Sequence, residues 1–309
     1  MRVPITVPSL LLVAAALACN LPGGAGPNTA ATLDAAVTQT VTFQPIGSVN
    51  TAAPSATLQP PIGVTLQWPT DTPAPTSAAP LPPSTPAPTQ ELTRPNGSPV
   101  HALRFAAPPV IDGDVGEWGA LTDASDQIVY KPANWSGVGD TSGAFKLAWD
   151  DSALYLAVKV VDEHLAQTQS GELIFKGDSV EALFDGDLGG DYSEAKLSAD
   201  DFQLGFSPGN LATGDPAAQA YLWFPRDRAG QPAGVAVAAQ ALDVGYQLEA
   251  AIPWTVFGIA PAGGDRFGFA LSISDNDNPA AAEQESMVSS VSTRKLTNPT
   301  TWGTLILDN

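Results

Sequence analysis

Carboxylates grouped around glycines are the first feature of this sequence that points to chemistry. Residues 185–191 read DGDLGGD, so Asp185, Asp187 and Asp191 recur every second or fourth residue in a segment that glycines make easy to bend. Calcium prefers oxygen ligands, and a loop of this kind can wrap its carboxylates around the ion. Further oxygens come from Asp200 and Asp201 and from the DNDN segment at 275–278. We therefore expect structural Ca²⁺ held by Asp185, Asp187 and Asp191. The alternative is a solvated acidic loop in an acidic protein.

Signatures of catalysis are weak. A pair of carboxylates can act as acid and base in glycoside hydrolysis, and Glu181 with Asp178 or Glu249 supplies candidates. Alternating carboxylates on short strands, however, do not fix the separation that such a pair needs. His101 and His164 are isolated, and the sequence has no HExxH motif, nucleophile elbow or glycine-rich phosphate loop. We therefore expect a protein that is not an enzyme.

The single cysteine lies directly after a short apolar segment. Residues 10–18 read LLLVAAALA, which is typical of a secretory leader and too short to span a membrane. Residues 16–19, ALAC, resemble a bacterial lipobox, in which the cysteine is lipidated and becomes the mature N-terminus. We interpret residues 1–18 as a lipoprotein signal peptide and Cys19 as the lipidation site. The protein is then exported and anchored to a membrane, at the cell surface or on a periplasmic face.

Composition divides the remaining chain into a tether and one domain. Residues 19–102 are rich in Pro, Thr, Ser and Ala, and carry too few large apolar side chains to build a core, so we expect a disordered linker. Residues 110–309 carry 29 acidic and 10 basic residues, which is essentially all of the net charge of −19. Such a surface repels phosphate backbones and makes nucleic acid an unfavourable partner.

Short apolar runs separated by turn residues fill the chain from residue 103 to residue 309. The segment 144–149 alternates and is followed by Asp-rich turn residues and by the β-branched run 154–161, which is typical of a hairpin. Similar short runs recur as far as residue 307 with little helical periodicity, apart from one predicted turn of helix at 253–257. This pattern favours an all-β domain, an antiparallel β-sandwich.

Five motifs in this region resemble carbohydrate-binding module family 9, in the family's order. They are VIDGDVGEW at 110–118, WDDSALYLAVKVVD at 149–162, GDSVEALFD at 177–185, GYQLEAAIPW at 245–254 and NPTTWGTL at 298–305. The resemblance implies a jelly-roll-like sandwich with structural calcium. It also implies sugar binding beside polysaccharide-degrading enzymes such as xylanases, one of which is a possible partner. From their apolar neighbours, Trp118, Trp149 and Trp254 are expected in the core, and Tyr155 and Tyr246 are expected to be half-buried.

The resemblance also implies a sugar clamp, of which part is present. The family's first stacking Trp corresponds to Phe175, and the Glu of the central strand is Glu181. The second stacking Trp corresponds to Leu296 or Lys295, and the family's Arg on the next strand falls near Gly205. Phe175 and Glu181 are therefore the inherited candidates for binding a carbohydrate ligand.

Three functions stay open from these residues. The domain binds a carbohydrate through other aromatics, among which Trp135, Tyr221 and Trp223 lie near predicted loops and Trp223 is the chosen candidate. Alternatively, it binds another ligand or a protein, or it is a structural domain at the cell surface whose sugar site has been lost. We favour non-catalytic binding of a polysaccharide or oligosaccharide.

Overall fold

The computed structural model describes residues 92–309; the predicted leader, Cys19 and the tether up to residue 91 lie outside the described residues. Thirteen strands make up this part of the chain. They are β1 (Val100–Arg104), β2 (Asp123–Ser125), β3 (Gln127–Tyr130), β4 (Thr141–Trp149), β5 (Ala153–Asp162), β6 (Ser179–Asp185), β7 (Asp201–Ser207), β8 (Gln219–Phe224), β9 (Ala236–Ala241), β10 (Tyr246–Pro253), β11 (Arg266–Asp275), β12 (Ser286–Ser289) and β13 (Gly303–Leu307).

Helices are few and short in residues 92–309. The one α-helix, α1 (Trp254–Phe257), follows Pro253 and ends at Gly258, which adopts a left-handed conformation, so the predicted turn of helix is confirmed. Four 3-10 helices cover Val115–Trp118, Gly171–Lys176, Arg226–Arg228 and Pro299–Thr301. None of the helices in this part of the chain is long and apolar enough to cross a membrane.

The strands form one continuous sheet that curls into two facing layers. Its main path runs β8-β7-β6-β11-β13-β1-β4-β5-β10-β9. Side chains from the two halves of the path meet in the middle: the rings of Phe145 on β4 and Phe269 on β11 lie 6.4 Å apart. The terminal strands β8 and β9 lie next to one another. The all-β, sandwich-like fold predicted from the sequence is confirmed.

One strand departs from the predicted antiparallel arrangement. β1 is inserted between β13 and β4 and pairs with both in parallel, with Ala102 opposite Leu307 on one side and Leu147 on the other. Every other pairing of strands along the path is antiparallel. The parallel pairings arise because β1 comes from a segment preceding the first hairpin, so no tight turn fixes its direction.

The folded unit begins earlier than the predicted residue 103. β1 starts at Val100, and Arg94 is almost fully buried, with its guanidinium 2.5 Å from the carboxylate of Asp185. Burying an arginine is favourable only with such a partner, so the segment from residue 92 is fixed to the domain. Composition concealed this, because Pro95, Gly97 and Ser98 continue the character of the tether.

The aromatic core agrees largely with the prediction. Trp118, Trp149 and Trp254 are buried, as expected. Tyr155 and Tyr246 were expected to be half-buried, but both are fully buried. The reason is that β5 and β10 pair with strands on both sides in the middle of one layer, where both faces of the sheet are covered.

Candidate functional site

An open cleft of ≈ 470 Å³ lies over β6, β7 and β8. Its aromatic lining comes from Trp223 and Phe224 on β8, Phe175 in the 3-10 helix Gly171–Lys176, and Tyr130 at the end of β3. The volume falls in the range of small-molecule sites, and aromatic faces with a few polar groups are typical of their lining. We call this surface the Trp223 cleft.

A buried carboxylate forms the polar part of the cleft. Glu181 on β6 is 4% exposed, and its Oε2 accepts a hydrogen bond of 2.7 Å from Nε2 of Gln203 on β7. Its Oε1 forms an ion pair with the guanidinium of Arg294, from the loop that follows β12. A charge buried to this extent needs such partners, so the three side chains form a fixed hydrogen-bonding group beside the aromatic rings.

The indole of Trp223 occupies the space that a side chain at position 205 would need. Gly205 on β7 is the cross-strand partner of Glu181. A Cβ atom placed on Gly205 would lie under 3.0 Å from Cη2 and Cζ3 of Trp223. The indole Nε1 donates a 2.9 Å hydrogen bond to the carbonyl oxygen of Glu172, and the Phe175 ring meets Trp223 edge-on at 6.1 Å. Trp223 is therefore held in one position by contacts on several sides.

The structure brings the three predicted ligand-binding residues together. Phe175, Glu181 and Trp223 all line the same cleft, although they lie up to 48 positions apart in the sequence. Leu296, at the position of the second stacking Trp, also lines the cleft and is 39% exposed. Their roles in binding a sugar stay a prediction.

The other predicted aromatics lie outside the cleft lining. The ring of Tyr221 lies 5.6 Å from that of Trp223 and supports it. Trp135 is partly buried against the core, and its indole donates to the carbonyl oxygen of Thr141. The position of Trp135 provides no platform beside Glu181.

Sequence reasoning missed the two polar residues that contact Glu181. Gln203 lies two residues before Gly205 on β7, so the two positions share one face of the strand, and this two-residue period could have identified Gln203. Arg294 lies 113 positions from Glu181 in an irregular loop, where no periodicity identifies a partner. The guanidinium that the family resemblance placed at position 205 therefore reaches Glu181 from a different segment.

The structure places two of the three predicted metal ligands together. Ligand oxygens of Asp185, Asp191 and Asp200 lie within 4.8 Å of one another, and we call this group the β6 cluster. Asp187 is not part of it, because its Oδ1 accepts a 2.9 Å hydrogen bond from the backbone of Gly190 and caps its own turn. Asp200, predicted as a source of further oxygens, is the third member of the group.

Several carboxylate oxygens in the β6 cluster and next to it have no hydrogen-bond donor among the described residues. Both carboxylate oxygens of Asp191 and one each of Asp200 and Asp201 are buried with no partner among the described residues. Burial, followed by repulsion from Asp191, raises the pKa of Asp185 to about 6 despite the nearby Arg94. Burial also raises the pKa of Asp201 to about 7. Hard oxygen ligands with unused lone pairs fit a calcium ion.

A second carboxylate group, missed by sequence reasoning, is more deeply buried. Asp162 ends β5, Asp178 directly precedes β6 and Asp275 ends β11. Their carboxylate oxygens lie within 4.8 Å of one another, and each residue is at most 3% exposed. We call it the buried triad. Burial is the main cause that raises the pKa of Asp162 to about 6 and that of Asp275 to about 7.

One oxygen of the buried triad and one neighbouring hydroxyl lack hydrogen-bond partners among the described residues. Asp178 accepts hydrogen bonds from the backbone N–H groups of Ala166 and Asn276, but Oδ1 of Asp275 is buried without a partner. The hydroxyl of Tyr246, wholly buried in the same neighbourhood, also has none, and burial raises its pKa well above the usual value. These oxygen atoms are also suitable ligands for a cation such as calcium.

The three carboxylates considered for acid–base catalysis, Glu181, Asp178 and Glu249, lie in different parts of the domain. Glu249 lies on β10 and accepts from the Trp118 indole at 2.7 Å and from the backbone of Gly113 at 2.9 Å. Asp178 belongs to the buried triad, whereas Glu181 is the one carboxylate among the described residues that line the Trp223 cleft.

Comparison with known proteins gives one family and a shared fold. The family model described as "Carbohydrate family 9 binding domain-like" matches residues 111–309. A carbohydrate binding module family 9 from Caldicellulosiruptor kristjanssonii in complex with cellotriose is 23% identical, with a TM-score of 0.52 over 69% of this chain and 94% of that chain. Such a module in complex with glucose gives 23% identity and a TM-score of 0.51 over 68% and 96%. No match was found among curated proteins.

Proposed function

Because this chain belongs to the carbohydrate family 9 binding domain-like family, we propose that residues 92–309 bind carbohydrate in the Trp223 cleft without transforming it. The observation that carries the proposal is the position of Trp223 beside Glu181 in one open cleft. An indole face offers an apolar surface to the C–H groups of a sugar ring. The charged pair of Glu181 and Arg294 offers hydrogen-bond acceptors and donors to the hydroxyl groups at its edge.

Non-catalytic binding agrees with the carboxylates of the cleft. Glycoside hydrolysis by the two-carboxylate route needs a second acidic side chain on the other side of the scissile bond. Among residues 92–309, Glu181 is the only carboxylate that lines the cleft. Its two oxygens accept hydrogen bonds from Gln203 and Arg294. The arrangement supports holding a sugar rather than cleaving it.

Cellotriose and glucose are the first ligands to test, since they are the ligands of the two similar modules. Affinity electrophoresis or calorimetry with chain 20–309, which lacks the predicted leader and Cys19, measures binding directly. Trp223→Ala should weaken it, while Phe105→Ala, which removes a partly exposed ring that packs on Trp118 outside the cleft, should leave it unchanged. If glycans bind equally to the Trp223→Ala variant, the cleft is not the site.

A scaffold or protein-interaction domain at the cell surface is the competing function. The aliphatic Leu296 at the position of the family's second stacking Trp is the observation that favours it. If no glycan in a broad panel binds, this function replaces carbohydrate binding.

The chain is further proposed to act as a lipoprotein. The position of its single cysteine after an apolar leader supports anchoring through Cys19 to a membrane outside the cytoplasm. The Pro-, Thr-, Ser- and Ala-rich sequence between Cys19 and the domain is proposed to tether the domain to this membrane. A tethered binder would hold the cell, or a partner enzyme, near polysaccharide.

Calcium is proposed as a structural ligand. The β6 cluster and the buried triad are the candidate sites, because each gathers three carboxylates and includes oxygens that have no protein donor. Bound calcium would supply positive charge between these carboxylates. Asp185, Asp191 and Asp200 would hold it in one site, and Asp162, Asp178 and Asp275 in the other.

A further inference from the structure

The Trp223 cleft differs in charge from the rest of the domain. Residues 110–309 carry 29 acidic and 10 basic side chains. The charged residues that line the cleft, however, are Glu181, Arg226 and Arg294. Since Glu181 and Arg294 neutralise one another, Arg226 leaves the lining of the cleft with one positive charge in an otherwise acidic domain.

Arg226 is not engaged by other side chains. It is exposed at the start of the 3-10 helix Arg226–Arg228, directly after Phe224 and Pro225 have brought the chain out of β8. Its guanidinium makes no ion pair or hydrogen bond with another residue of the described range 92–309. Its neighbour Asp227 does not line the cleft and makes no ion pair with it. By contrast, Arg228, two residues later, donates a hydrogen bond to the carbonyl oxygen of Val256.

A second cation stands at the edge of the cleft. Nζ of Lys131 donates a 2.8 Å hydrogen bond to the carbonyl oxygen of Gln284 and lies 5.2 Å from the ring centre of Tyr130. Both Gln284 and Tyr130 line the cleft. Lys131 is thus held next to two residues of the lining, where it adds a second positive charge to that of Arg226.

We propose that the Trp223 cleft prefers saccharides that carry a carboxylate, such as uronic acids, and that Arg226 pairs with this carboxylate. The inference rests on the proposed function and names the class of sugar that the cleft selects. A guanidinium presents parallel N–H groups whose geometry matches a carboxylate, and such bidentate pairs are stronger than hydrogen bonds between neutral groups. The sugar ring would contact Trp223, and its charged substituent would extend towards Arg226.

Matched pairs of sugars test this preference. Chain 20–309 is titrated with glucuronic acid and with glucuronamide, which has nearly the same shape without the charge, and likewise with galacturonic acid and its amide. NMR titration measures the weak affinities expected of single sugars. We expect the acid of at least one pair to bind about tenfold more tightly than its amide, and the difference to shrink as NaCl increases.

Charge-matched variants locate the effect. Arg226→Gln should reduce the acid-to-amide ratio to about one. Lys159→Gln removes the same charge from an exposed position on β5 outside the cleft and should keep the preference. Equal binding of acid and amide, or a preference that survives in Arg226→Gln, overturns the inference and leaves carbohydrate binding intact. If neither acids, amides nor neutral oligosaccharides bind, the proposed function fails as well.

Discussion

Replacing Gly205 by alanine should damage the binding site without damaging the fold. The added Cβ would lie under 3.0 Å from two atoms of the Trp223 indole and 3.1 Å from Cδ1 of Ile174. Carbon atoms pack at about 3.5–4.0 Å, so the indole must retreat by roughly an ångström or more. That shift strains its hydrogen bond to the Glu172 carbonyl and its edge contact with Phe175.

The expected loss of affinity follows from the contact that is displaced. Aromatic stacking contributes about 0.5–1.5 kcal/mol beyond buried area, so we expect a loss of about 1–2 kcal/mol once the buried area is included, or roughly 5- to 30-fold in Kd. The free energy of unfolding should change little. Alanine is favoured over glycine within a strand by about 0.5–1 kcal/mol, which offsets part of the cost of moving the ring. Thermal unfolding should therefore shift by only about 2–4 °C.

Calorimetry on the wild type and four variants decides whether the effect passes through Trp223. Trp223→Ala should weaken glycan binding at least as much as Gly205→Ala, and the double variant should be no weaker than Trp223→Ala alone. Gly139→Ala, at a glycine with open space around its Cβ position, is the matched control and should bind as the wild type does. Wild-type affinity in Gly205→Ala, or losses that add in the double variant, would refute the reasoning.

The remaining predictions concern the cleft, the acidic clusters and the N-terminus. Phe175→Ala and Glu181→Gln should each weaken glycan binding by about fivefold or more in the same calorimetric titration, since each removes a contact of about 1 kcal/mol; unchanged affinity in both would move the site elsewhere. With calcium at a hundred times its Kd as the reference, EDTA should lower the unfolding midpoint by about 5–10 °C. The decrease should be smaller in Asp191→Asn or Asp275→Asn. A midpoint that EDTA does not change would exclude structural calcium. The decrease in the midpoint caused by EDTA should be larger at pH 8 than at pH 6. In the folded domain the pKa of Asp275 is raised to about 7, above its value in the unfolded chain. The metal-free domain therefore gains stability as the pH falls through 7. A fatty-acid probe should label the wild type and not Cys19→Ser in cells, and equal labelling would contradict the lipoprotein prediction.

The fold could be predicted because its signals are local. The run LYLAVKVV at 154–161 and the Asp-rich turn before it specify a hairpin within some twenty residues, and β4 and β5 pair as that reading requires. The parallel pairing of β1 was not predicted, since it joins the start of the domain to Leu305 and Leu307 at its end. No periodicity within β1 identifies partners some two hundred residues away.

The candidate site was predictable where one strand register determined it. Glu181 and Gly205 are opposite one another on β6 and β7, so the loss of an Arg at position 205 could be deduced from the motifs. That Trp223 fills the space over Gly205, and that Arg294 supplies the guanidinium, depend on side chains crossing between strands and loops. The buried triad was missed for the same reason, because its members terminate or precede three different strands.

Indole N–H signals in an NMR titration test carbohydrate binding in the Trp223 cleft most directly. Chain 20–309 is titrated with a panel of neutral and acidic oligosaccharides that includes cellotriose. At least one ligand should shift the Trp223 signal saturably, while the signals of Trp149 and Trp302, whose side chains are fully buried, stay in place. Saturable binding that leaves the Trp223 signal unmoved, or a panel in which no sugar shifts any indole, would contradict the account.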